Sequence, residues 1–151
     1  MYVCYVCTVD PEAQALQLVD LIHRLSRSIA DDARQVREVA TLDLGDFIAL
    51  RAIASGKLSP GDLARDLHSH PAATSRTITG LVKAGLVGRV TDPVDSRKII
   101  LLLTPNGAEA VERIGREIRP SLQRRLDNLP GADAADLLAA LEAILGSDPP
   151  E

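Results

Sequence analysis

A chain of 151 residues suits one domain, or one domain with an extension, and at 46% hydrophobic it can bury a real core. Aromatic residues are only 2%, so that core must be Leu, Ile, Val and Ala, which favours helices and excludes an aromatic platform for single-stranded nucleic acid. The net charge of −4 argues at first against a polyanionic partner, yet residues 59–103 carry 4 acids and 6 bases, and between Leu67 and Thr91 there are three bases and no acid. A locally basic face on an acidic body can still dock on phosphates.

No apolar stretch is long enough to span a membrane. The opening MYVCYVCTVD lacks a basic n-region and is too short for a secretion signal, so the cytoplasm is the expected compartment. Cys4 and Cys7 form a C-x-x-C pair with no second pair to complete a zinc site. Residues 1–9 are expected to be a flexible tail.

The first helix is announced by Asp10-Pro11-Glu12: a cap residue, proline at the first helical position, then an acid near the positive end. Leu18, Leu21, Ile22, Leu25 and Ile29 follow at helical spacing, and the helix is expected to run toward Arg37. A second helix is predicted from about Asp43 to Ala54, with Phe47, Leu50 and Ile53 inward. Leu58 adds one short strand. Ser59-Pro60-Gly61-Asp62 starts a short third helix by the same cap-then-proline logic. Pro71 opens a fourth, which runs to Ala84 and is stopped by Gly85.

Two apolar pieces follow, Leu86 to Val90 and Ile99 to Leu103, separated by the turn-prone Asp92-Pro93-Val94-Asp95-Ser96-Arg97-Lys98. They predict a β-hairpin. Thr104-Pro105 caps a fifth helix reaching about Asn128, in which Pro120 predicts a kink or a break. After the Pro130-Gly131 turn, a last helix is predicted from about Asp133 to Leu145, carrying Leu137, Leu138, Leu141 and Ile144. The predicted fold is mainly α with a small β-hairpin wing. Residues 10–38 and 105–146 flank a central unit at 39–104, and 147–151 is a tail.

The third and fourth helices are separated by only a few residues, the arrangement of a helix-turn-helix whose second helix lies in the major groove. Length alone does not separate this from an ordinary helical hairpin. The fourth helix does: Thr74, Thr77, Ile78 and Leu81 face the core, while Ala72, Ser75, Arg76, Thr79 and Lys83 fall on the other side. That outer face is small, hydroxylic and basic, with no acid. Ser and Thr can donate to phosphate or base, and Arg can take guanine O6 and N7 together. Gly80 is a poor helix residue and is expected to permit close approach.

Beside such a helix the hairpin becomes a wing. Arg97 at its tip suits a narrow, negative minor groove. Asp95 is expected to accept from the Arg97 guanidinium and hold it extended. Arg89 and Lys98 are expected on backbone phosphates.

The segment SPGDLARDLHSHPAATSRTITGLVKAGLVGRVTDPVDSRKIILLLTPNG resembles the winged helix-turn-helix of the MarR (multiple antibiotic resistance regulator) family. The matching motifs are D-x-R at Asp95-Ser96-Arg97, L-x-L-T-x-x-G at Leu101 to Gly107, K-A-G-L-V at Lys83 to Val87, and Arg76 in the reading helix. The resemblance implies a homodimer whose first and last two helices interleave. It implies a transcriptional regulator, usually a repressor, on double-stranded DNA with a roughly palindromic operator. It also implies release by a small molecule bound between the dimer helices and the reading head, in a pocket whose walls the composition predicts to be Leu, Ile and Val without rings.

The expected DNA-contacting set is Ser59, His70, Ala72, Ser75, Arg76, Thr79, Lys83, Arg89, Asp95, Ser96, Arg97 and Lys98. His70 stands where the family often has a small cap residue, and it is expected to cap poorly or to touch a phosphate when protonated. His68 and His70 have no nearby Cys or acid to complete a metal set. No metal, cofactor or catalytic residue is implied: there is no phosphate loop, nucleophile elbow or framed carboxylate pair. The alternative reading is a winged-helix protein-docking module that binds no DNA, supported mainly by the acidic overall charge.

Overall fold

The computed structural model describes residues 11–34, 42–56, 58–129 and 133–146. The expectations for Cys4, Cys7 and the end of the first helix near Arg37 lie outside these residues. The element order is α1 (Pro11–Arg34), α2 (Leu44–Ser55), α3 (Pro60–Asp66), α4 (Pro71–Lys83), β1 (Val87–Thr91), β2 (Ile99–Leu103), α5 (Pro105–Asp127) and α6 (Ala134–Gly146). Among the described residues no helix is long and apolar enough to cross a membrane.

Each short helix begins where a side chain can satisfy its orphan amides. At α2, Asp43 Oδ1 accepts from Asp46 N at 2.8 Å, and Asp46 Oδ2 accepts in turn from Asp43 N at 3.3 Å. Ser59 and Asp62 build the same reciprocal box at α3. Thr104 caps α5 by accepting from Gly107 N at 3.1 Å. Such caps are worth about 1 kcal/mol each, which matters for a helix as short as α3.

The strands pair antiparallel in the register Val87↔Leu103, Arg89↔Leu101 and Thr91↔Ile99. Leu58 joins the other edge of β2: Leu101 N donates to Leu58 O at 2.9 Å. This edge pairing anchors the hairpin base to the segment between α2 and α3, and the Leu101 side chain is fully buried in the core.

Two apolar clusters hold the molecule. The larger joins Leu50 and Ile53 of α2, Leu63 of α3, Ile78 and Leu81 of α4, Val87 and Leu101. Each fully buried Leu or Ile contributes about 1.5–3 kcal/mol. The smaller joins Phe47 of α2 to Ile114 and Ile118 of α5, so one ring ties the central unit to the long helix. Helix α5 runs unbroken through Pro120, so of the expected kink or break the break does not occur. One lost backbone bond is outweighed by neighbours on both sides: Ile118 packs against Phe47, while Ser121 and Arg125 grip Asp32 of α1 at 2.6 Å and 2.8 Å.

Candidate nucleic-acid interface

Helix α4 is oriented by its inward face. Thr74, Ile78 and Leu81 are buried, and Thr74 Oγ1 lies 3.1 Å from Ser69 Oγ and 3.4 Å from His70 O, so even the buried hydroxyl is satisfied. With those residues fixed, Ala72, Ser75, Arg76, Thr79, Gly80 and Lys83 are all exposed on the opposite side. The face carries no acid, as the periodicity predicts.

The turn before α4 is sharp. His68 adopts φ 45°, in the left-handed region. His70 then caps α4, its Nδ1 accepting from Ala72 N at 3.2 Å. The expectation that His70 caps poorly is therefore corrected. An imidazole can take the part of a small hydroxyl because one ring nitrogen carries a lone pair. The same bond shows that capping belongs to the ring with Nδ1 unprotonated.

Not every residue in the expected set is equally available. The Ser59 hydroxyl donates to Asp62 Oδ2 at 2.6 Å and accepts from Asp62 N at 3.1 Å. Its one proton is committed to the cap, and phosphate oxygens need a donor. The Ser59 hydroxyl and the Ser59 backbone N–H, at 3.1 Å, both donate to Asp62 Oδ2, and with the nearby Arg65 and Lys98 cations they hold the Asp62 carboxyl below the usual range. Thr79 Oγ1 donates to Ser75 O at 2.8 Å, so its one proton is committed within the helix. Arg89 reaches back from β1 to Thr79 Oγ1 at 3.4 Å, bracing the hairpin against the reading helix. The guanidinium keeps further N–H groups for a phosphate.

At the hairpin tip the expected Asp95–Arg97 side-chain pair is absent. Asp95 Oδ1 accepts the Arg97 backbone amide at 3.1 Å, and Oδ2 lies 3.9 Å from Lys98 Nζ. An acid two residues before an arginine closes an Asx turn more readily than it reaches the end of that arginine. Asp92, not singled out from sequence, frames the tip as well. Its Oδ1 accepts from Val94 N at 2.7 Å and from Asp95 N at 3.3 Å. The signal was present in the Asp-Pro-x-Asp order. Ser96, Arg97 and Lys98 are exposed around this frame.

The hairpin base is fastened to α4 and α5 together. Thr104 Oγ1 donates to Gly85 O at 2.7 Å, Thr104 N donates to Leu86 O at 3.0 Å, and a Cβ on Gly107 would sit 2.0 Å from Leu86 O. Gly85 itself has φ 73°. The Thr-x-x-Gly spacing thus serves a close backbone crossing at the end of the reading helix.

Away from this face, a crevice of about 370 Å³ lies between α2 and α5, lined by Phe47, Arg51, Val111, Ile118, Arg119 and Leu122 among others. The walls of this crevice are not ring-free: the chain's one phenylalanine is part of them, and Arg51, Arg119 and Glu112 stand beside it.

The sequence profile described as "MarR family" matches residues 41–98. An uncharacterised HTH-type transcriptional regulator of Mycobacterium bovis, Mb0904, is 31% identical over 127 residues, covering 78% of this chain and 89% of its own. The crystal structure of the transcriptional regulator BldR from Sulfolobus solfataricus has a TM-score of 0.77 at 25% identity, covering 93% of this chain and 100% of that one. A cysteine-to-serine mutant of Escherichia coli MarR, solved with operator DNA, shares the fold with a TM-score of 0.72 at 24% identity, covering 90% and 99%. An exposed, acid-free reading helix, a hairpin braced against it and relatives of this length and identity agree, and the chain belongs to the MarR family of winged-helix, DNA-binding transcriptional regulators.

Proposed function

We propose that the chain works as a homodimeric regulator, a repressor by default, which lays α4 into the major groove of a pseudo-palindromic operator and its hairpin into the adjacent minor groove. The observation that carries the reading is an exposed, acid-free outer face on α4 with the hairpin fastened to it through Arg89 and Thr79. Arg76, Ser75 and Lys83 on α4 and Arg97 and Lys98 on the hairpin are all exposed, and the acids nearest them at the tip, Asp92 and Asp95, bond to backbone amides. On this reading Arg76 reads a base edge, Ser75, Lys83 and Lys98 meet phosphate, and Arg97 enters the minor groove. His70, through Nε2, and Arg89 add phosphate contacts at the two ends of the helix. Ala72 and Thr79 provide close apolar packing, and Ser96 lies at the tip. Ser59 and Asp95 act indirectly, by fixing α3 and the tip.

A two-fold assembly is supported by apolar surface that one chain leaves open. Leu21, Ile22 and Leu25 on α1 and Leu138, Ile144 and Leu145 on α6 are exposed, and no residue of α6 is buried. Such faces mark an interface. A two-fold dimer presents its reading helices about 34 Å apart, one turn of B-DNA, so half-sites are expected about 10 bp apart. The effector is proposed to enter the α2–α5 crevice, where an apolar wall lies beside Arg51, Arg119 and one acid, Glu112, a lining that suits a largely apolar molecule with a polar end.

The test is a mobility-shift titration on the DNA flanking the chain's own gene. Specific binding that falls steeply with salt, and is lost in Arg76→Ala and Arg97→Ala, supports the reading. No specific complex at low salt, with a stoichiometric protein co-purifying instead, would favour the protein-docking alternative.

A further inference from the structure

Val94, at the hairpin tip, is 94% exposed, the most open large hydrophobic side chain among the described residues. A single exposed valine is unremarkable in itself. What sets this one apart is how firmly it is presented. Its own amide donates to Asp92 Oδ1 at 2.7 Å. On its far side Asp95 O accepts from Lys98 N at 2.9 Å, and Lys98 O accepts from Asp92 N at 2.9 Å, closing the loop. Pro93 immediately before it fixes its own φ. The tip is therefore a braced knob.

The bracing also sorts the chemistry of the tip. Asp92 and Asp95 are half-buried and bonded to amides, whereas Pro93, Val94, Arg97 and Lys98 are exposed. What projects is a pair of apolar side chains next to two cations. A minor groove rewards that combination: its negative potential takes the cation, and its deoxyribose walls take apolar groups, which can also wedge against a base step. A surface built only for phosphate would have no use for a rigid valine.

We infer that Val94 is a specificity-determining contact, seated against the minor-groove wall beside Arg97, which makes the choice of flanking sequence depend on groove width. The inference rests on the DNA-binding reading above. Val94 touches nothing that holds the fold together, so substituting it leaves stability unchanged and the readout clean.

The experiment selects bound duplexes of about 30 bp, room for two half-sites and their flanks, from a random pool with the wild-type protein. The best duplex is then titrated with Val94→Ala, Val94→Ile, Arg97→Ala and Arg76→Ala. Val94→Ala is expected to bind at least about tenfold more weakly, since each of the dimer's two tips loses two methyl-sized groups from a buried contact. Its salt slope should match the wild type, because no phosphate contact is removed. Val94→Ile should bind like the wild type. Repeating the selection with Val94→Ala should flatten base preference in the flanks while leaving the half-sites sharp. Arg97→Ala, in contrast, should lower the salt slope. If the wild type selects a site and Arg76→Ala weakens it, yet Val94→Ala keeps both affinity and flank preference, this inference fails and the DNA reading stands. If the wild type retains no duplex, both fall together.

Discussion

Replacing Gly107 with Ala should be among the most damaging single-methyl changes in the chain. The added Cβ would lie 2.0 Å from the Leu86 carbonyl oxygen and 3.0 Å from its carbon. An ordinary carbon–oxygen contact is about 3.3 Å, so α5 or the β1 entry must move by roughly 1.3 Å. The obstacle is backbone and cannot swing aside. That same oxygen accepts from Thr104 N at 3.0 Å, and Thr104 Oγ1 holds the neighbouring Gly85 O at 2.7 Å. Overpacking costs about 1–3 kcal/mol, and two disturbed hydrogen bonds add about 1 kcal/mol each, giving about 3–5 kcal/mol. Urea unfolding followed by circular dichroism, at one fixed protein concentration because assembly shifts apparent stability, should show a lower midpoint with an unchanged slope. The internal control is Gly80→Ala in α4, where a Cβ meets nothing within 4 Å; it should stabilise by up to about 1 kcal/mol through helix propensity. A Gly107→Ala protein within about 0.5 kcal/mol of the wild type, the range of an ordinary surface change, would refute the reasoning.

The same Gly80→Ala variant should bind DNA several-fold more weakly despite its stability, since the new methyl stands on the exposed face of α4; equal affinity in a titration would show that Gly80 is not there for close approach. His70→Ala should lower thermal stability by about 1 kcal/mol, the worth of an N-cap, whereas His70→Ser should preserve it; an unchanged melting curve for the alanine variant would deny His70 its capping role. Acid should loosen the molecule through two carboxyls. Asp32, held down by its bonds to Ser121 and Arg125, and Asp62, held down by Ser59, both titrate below the ordinary range. Each stabilises fully above the unfolded carboxylate range, near pH 4, and loses that contribution as pH falls through its folded value. Asp46, pushed up first by burial, has the opposite sign. Melting curves from about pH 7 down to about pH 3 should show a smaller acid loss in Asp32→Asn than in the wild type; parallel losses would remove Asp32 from the account.

Much of the molecule was legible before folding. The starts of α3, α4 and α5 were written in Ser59-Pro60, Pro71 and Thr104-Pro105, because capping and proline geometry are local, although the cap that His70 supplies was not foreseen. The inward and outward faces of α4 followed from helical periodicity alone, and burial of Thr74, Ile78 and Leu81 agrees. Local signals misled in two ways, once through partners far along the chain and once through a competing bond within the turn itself. Pro120 should interrupt a helix, but α1 and α2 hold α5 together across it. Asp95 was expected to hold the Arg97 guanidinium, yet the backbone amide of Arg97 itself claimed the carboxylate.

The sequence by itself determined which residues form helices and hairpin, where each begins, and which face of α4 is free of acids. These follow from the intrinsic periods of the backbone and from side chains acting within one turn of it. Only the tertiary structure decided that Phe47 closes against α5, that Leu58 completes the sheet edge beside Leu101, and that Gly107 lets α5 cross the end of α4. The reason is distance along the chain. Each of these contacts joins residues dozens of positions apart or presses backbone on backbone, and close packing rather than local preference fixes which of them can meet.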